Sequence, residues 1–155
     1  MANHCKMRII ATILAASPFI LQSTGCSLPG DQGTAGIGIA SFALSAGQVH
    51  SLTVYALSTP KGGCLDLYLG KVDPLSPSAG LSAMKTVELT ATSTTVHLGS
   101  IPVGKRAFFV EAYASSDGTG GILGAGCALG NVEKNKTVKV IIDSVCPRNA
   151  SGQCE

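Results

Sequence analysis

From Gly36 to Ile142 the chain alternates short apolar and polar steps, interrupted about every eight to twelve positions by Gly, Pro, Ser, Asn or Asp. That rhythm constrains the fold more than any other feature. A period of two places successive side chains on opposite faces of a strand, so each segment can bury one face only against a second sheet. No segment sustains the i, i+3, i+4, i+7 spacing of an amphipathic helix. The reading is an all-β chain, an antiparallel β-sandwich of about seven to eight strands.

The strands are expected as follows. Gly36–Leu44 points Ile37, Ile39 and Phe42 inward, and Val49–Leu57 alternates Leu52, Val54 and Ala56 with Thr53 and Tyr55. Cys64–Leu69 reads as a strand with Leu65, Leu67 and Leu69 on one face. Val72–Ala83 holds two prolines, three serines and a glycine, and is expected to cross irregularly. Met84–Ala91 and Thr94–Leu98 form a hairpin or a step between sheets. Arg106–Ala114, Ile122–Val132 and Val138–Ile142 complete the set, the first two joined by the Gly-rich loop Ser115–Gly121 and the last two by the charged turn Asn131–Lys136.

The amino terminus follows a different rule. His4, Lys6 and Arg8 precede Ile9–Leu21, an almost wholly apolar run that is short for a bilayer-spanning helix, which needs about 20 apolar residues. A basic start, a short apolar run and small residues at its end are the parts of a secretory signal peptide, assigned here to residues 1–25. Residues 26–35, rich in Gly, Ser, Pro and Gln, read as a flexible tether. The sandwich is assigned to 36–143, and a tail to 144–155.

The leader changes how charge and cysteine content are read. The whole chain has 11 Lys and Arg against 9 Asp and Glu. Losing Lys6 and Arg8 leaves nine of each sign, so the basic balance vanishes on cleavage. No Lys/Arg cluster interleaved with aromatics remains, which excludes a nucleic-acid footprint. Of six cysteines, cleavage removes Cys5 and leaves an odd five. If Cys26 carries a lipid, Cys64, Cys127, Cys146 and Cys154 can form two disulfides in an oxidising compartment. Cys64 with Cys127, and Cys146 with Cys154, is the natural pairing, although spacing alone leaves the other connectivities open. No Cys-x-x-Cys spacing points to a metal, and no cofactor motif is present.

Two resemblances add to this. Ser23-Thr24-Gly25-Cys26 is similar to the lipobox of bacterial lipoproteins, in which the cysteine becomes the acylated amino terminus; Ser23 stands where that box prefers Leu. The stretch IPVGKRAFFVEAYASSDG, followed by ILGAGCALGNVEKNKTVKVII, resembles the closing half of immunoglobulin-like or carboxypeptidase-regulatory-like sandwich domains found in bacterial lipoproteins, notably of myxobacterial type. SLTVYAL fits the second strand of such domains. The resemblance implies an immunoglobulin-like sandwich held at the cell envelope, at the outer membrane, with the membrane and a protein or glycan as partners. A secreted soluble binding domain, for carbohydrate among other ligands, is the alternative. Acyl chains contribute about 0.8 kcal/mol per buried methylene, enough in combination to hold a small domain at a membrane.

Catalytic chemistry finds no support. His50 and His97 sit in alternating strand patterns that place them toward solvent, and no G-x-S-x-G elbow accompanies them. Glu88 and Glu111 are read as exposed strand positions rather than a catalytic pair. Asp117-Gly118-Thr119-Gly120-Gly121 lacks both the Lys of a phosphate loop and the repeated oxygens of a calcium loop. Loops carry much of protein recognition, so Ser115, Ser116, Asp117, Gly118 and Thr119 are the expected contact residues, with Asp73–Met84 beside them. The expected function is that of a non-enzymatic structural or interaction module.

Overall fold

The computed structural model describes residues 31–40, 43–44, 47–89 and 95–147. The leader, Cys26 and Cys154 lie outside them. Among the described residues eight strands form two sheets: β1 (Gln32–Ile39), β2 (Ser51–Ser58), β3 (Ala83–Glu88), β4 (Thr95–Pro102), β5 (Gly104–Tyr113), β6 (Ile122–Val132), β7 (Thr137–Ile142) and β8 (Cys146–Pro147). The order is β4-β1-β7 in the small sheet and β3-β2-β5-β6-β8 in the large one. The chain is an all-β sandwich. Met84 and Thr95 fall in different sheets, so β3 to β4 is a step between sheets rather than a hairpin.

The core follows from the alternation. Ile37, Ile39, Val96, Leu98, Val140 and Ile142 from the small sheet meet Leu52, Val54, Ala56, Phe108, Val110 and Ala112 from the large one. β6 contributes small residues here. A Cβ on Gly130 would come within 2.9 Å of both the Phe108 ring and a Val140 methyl, so this glycine lets β7 and Phe108 close over the strand.

Four features depart from expectation. β1 starts at Gln32, four residues before Gly36, because Gln32 and Gly33 pair with Pro102 and Ile101 across β4. The segment 32–35, assigned to the tether, is therefore sheet. Second, the small sheet is not wholly antiparallel, since β1 runs parallel to β7, Thr34 opposite Thr137 through Ile39 opposite Ile142. No local pattern encodes that pairing; it joins the first and last long strands. Third, β4 carries a bulge in which Gly99 and Ser100 face the single residue Thr34, and Ser100 takes a left-handed conformation (φ 57°).

The fourth departure is the largest. Cys64–Tyr68 is an α-helix, α1, and not a strand. Cys64, Leu67 and Tyr68 fall at i, i+3 and i+4 and turn toward the large sheet, while Leu65, expected inside, is 59% exposed. A short alternating run fits a helix face as well as a strand face, and here the helix wins because a second apolar surface waits for it. That surface is the outer side of the large sheet.

Candidate functional site

The outer face of the large sheet is covered, and its cover falls into two halves of opposite character. The first is apolar. Tyr55, Leu57, Ala107, Phe109 and Ala125 project outward from β2, β5 and β6, and the chain between β2 and β3 lies over them with Leu67 and Ala79 buried and Tyr68 and Val72 packed alongside. A disulfide joins Cys64 in α1 to Cys127 in β6, with Cα atoms 5.7 Å apart. Beside it, the Cys127 amide donates to the Tyr68 hydroxyl at 2.7 Å. Burial raises the Tyr68 phenol above its ordinary value, and the Cys127 hydrogen bond only partly offsets that. The Ser82 hydroxyl donates to the Ala56 carbonyl at 2.9 Å and closes the segment back onto β2. Asp73–Met84, an expected contact surface, is thus partly a covering layer, with a 3-10 turn at Pro77–Ala79.

The second half is polar. Glu111 is only 5% exposed, which corrects its assignment to an exposed strand position. Its neighbours explain the burial: Phe109 and Tyr113 flank it on the same face of β5, and Thr53 lies opposite on β2. The hydroxyls of Tyr55 and Tyr113 both donate to Glu111 Oε2, at 2.9 and 2.8 Å. A buried carboxylate is tolerated where such donors replace water. Desolvation first, and the nearby Glu111 charge second, push the Tyr55 phenol far above its usual ionisation range. The sequence did carry a signal for this. Phe108, Val110 and Ala112 alternate with Phe109, Glu111 and Tyr113, so β5 is apolar on both faces and must be covered on both.

The loop Ser115–Gly121 folds over this polar half. The Ser51 hydroxyl donates to the Ser115 carbonyl at 2.6 Å. Gly118 rests on Thr86 and Thr53 so closely that a Cβ would meet Thr86 at 2.8 Å, and its φ of +75° also favours glycine. Asp117 Oδ1 accepts from the Thr119 hydroxyl at 2.7 Å and the Thr119 amide at 3.1 Å, and these bonds hold its carboxyl below the usual range. The Ser115 hydroxyl donates to the Thr119 carbonyl. Ser115, Ser116, Asp117, Gly118 and Thr119 therefore come together in one ordered hairpin loop.

The other predicted residues are dispersed. His50 and His97 are exposed, His50 just before β2 and His97 on β4. Glu88 is exposed at the end of β3, an edge strand of the large sheet. Cys146 is disulfide-bonded, and its Sγ lies 3.1 Å from the Ala125 carbonyl oxygen. Among the described residues no three His, Cys, Asp or Glu side chains are grouped to hold a metal. Shallow clefts lie at one end of the sandwich. The cleft beside α1, about 380 Å³, is lined by Ser58, Lys61, Asp66 and Ser78 among others. The cleft at the β4 bulge, about 390 Å³, is lined by Gln32, Thr34, Ser100, Asn135 and Lys136 among others. No family model matches the chain, and no curated protein matches it in sequence.

Proposed function

We propose that the chain is an exported, non-enzymatic interaction module, tethered to a cell-envelope membrane through an acylated Cys26. The observation that supports this reading best is the Cys64–Cys127 disulfide. A disulfide that staples a covering layer onto a sheet belongs in an oxidising compartment, which is where residues 1–25, read as a signal peptide, would deliver the chain. Cys146 is also disulfide-bonded. With Cys154 as its partner, Cys26 is the one mature cysteine left over, and acylation would account for it. The outward surfaces, above all the ordered loop 115–121, are then the parts available for recognition.

The test is mass spectrometry of the processed protein from a bacterial expression host. The amino-terminal peptide should begin at Cys26 and carry acyl chains, and Cys26→Ser should move the protein from the membrane to the soluble fraction. A processed chain with an unmodified Cys26 thiol would refute the anchor. Export without acylation would instead favour the secreted binding domain.

A further inference from the structure

The two ends of the sandwich carry opposite charge. One end holds the start of β1, the turn from β4 to β5, the turn from β6 to β7, and the end of β2, where Ser58 pairs with Arg106. Its cations are Lys61, Lys105, Arg106, Lys134 and Lys136, and its anions are Asp31 and Glu133. Those two anions are occupied: Asp31 lies 3.0 Å from Lys134, and Glu133 lies 2.6 Å from Lys136. The end has a net excess of three positive charges. The opposite end holds the end of β3, the loop from β5 to β6, and the residue after β7. It carries Glu88, Asp117 and Asp143, and among the described residues no Lys or Arg. On the covering layer Asp66 and Lys71 pair with each other, at 3.8 Å, and the exposed Asp73 adds one carboxylate, so positive charge stays in excess at the basic end.

The basic end is also where the chain leaves toward Cys26. Five peptide steps separate Cys26 from Asp31, a reach of at most about 18 Å. The Val103 amide donates to the Asp31 carbonyl at 3.0 Å, so the tip of the β4–β5 turn sits beside the tether's root. Val103 is 39% exposed there, between Pro102 and the pair Lys105 and Arg106. Arg106 is aimed by its own turn, donating to the carbonyls of Pro102 and Val103 at 3.0 and 3.2 Å.

We infer that this end is a membrane-docking face that takes anionic phospholipid headgroups, with Lys61, Lys105 and Arg106 at the phosphates and Val103 at the interface. The inference rests on the proposed anchor for its orientation, since a short tether holds this end toward the bilayer. The potential of an anionic surface decays within about 10 Å, a distance that tether can close. Docking would set the acidic end, with the loop 115–121, away from the membrane.

The test uses the mature chain with Cys26→Ser, so that docking is read without acylation, in co-sedimentation with vesicles of phosphatidylcholine alone or mixed with phosphatidylglycerol. The mixed vesicles should bind the protein in preference, and added salt should release it. Each cation removed should weaken binding by about fivefold, so Lys61→Glu with Lys105→Glu should abolish it, whereas Glu88→Gln at the other end should leave it intact. Equal binding to both vesicle types, no binding to either, or unchanged binding by the double variant would overturn the inference. Vesicle binding by a protein whose natural Cys26 proves unacylated would uphold the docking face and refute the anchor, so the two failures are distinguishable.

Discussion

The two faces of the large sheet are both buried, but by different means. The inner face meets a second sheet, and its alternating side chains close a continuous apolar core of Val, Ile, Leu and Phe108. The outer face meets a loop segment whose regular structure is a five-residue helix and one 3-10 turn. So short a helix has no stability of its own and persists only when docked. The outer layer therefore relies on a covalent staple, Cys64–Cys127, where the inner layer relies on area. Its remaining half relies on hydrogen bonds to one buried carboxylate, Glu111. A small domain thus gains a third layer without a third sheet.

The adjacent residues Phe108 and Phe109 give the most severe comparison, since both are fully buried on opposite faces of β5. Phe108→Ala should destabilise by about 3–5 kcal/mol, as large-to-small changes in a rigid core do. Phe109→Ala should lie at or below the low end of that range, because a loop layer can settle into the space. Denaturant unfolding of both variants measures the difference, and an equal loss at both sites would mean that the outer layer is as unyielding as the inner. Removing the staple should come next. The loop closed by Cys64 and Cys127 has a sequence separation of 63, and Cys64→Ser with Cys127→Ser should cost about 4 kcal/mol on the chain-entropy model, read as a lower denaturant midpoint.

Smaller effects probe the polar half. Glu111→Ala leaves the Tyr55 and Tyr113 hydroxyls without their shared acceptor and should cost about 1–3 kcal/mol, whereas Glu111→Gln keeps an acceptor in place and should cost less. Alkaline titration supplies a further check. Tyr55 and Tyr68 hold their protons above the ordinary value of 10.0 because burial disfavours the phenolate. The folded state then binds more protons than the unfolded state at high pH. Stability should be unaffected by these groups below about pH 10 and fall as pH rises past it. Phenolate absorbance from Tyr55 should appear together with unfolding; its early ionisation in the folded protein would show that the outer layer admits water.

These contrasts also explain what the sequence disclosed. The inner layer was legible because a sheet-on-sheet core forces a period of two, and Ile37, Leu52, Val54, Val110, Val140 and Ile142 all obey it. The loop at Ser115–Gly121 was legible from its glycines. α1 was not, because Leu65, Leu67 and Leu69 alternate as a strand would, and only the docked position of Cys64 and Tyr68 favours the helical face. Glu111 was misread for a related reason: its charge suggested solvent, while its aromatic neighbours on a two-sided strand required cover. The parallel pairing of β1 with β7 joins segments about 100 residues apart, which local pattern does not specify.

The most direct test of the stapled outer layer is hydrogen exchange under native conditions, read by mass spectrometry with and without a mild thiol reductant. If the disulfide holds an otherwise marginal layer, reduction should release protection across residues 59–82, while β1, β4 and β7 exchange as slowly as before. Unchanged protection over 59–82 in the fully reduced protein, or an equal loss in the small sheet, would contradict the account.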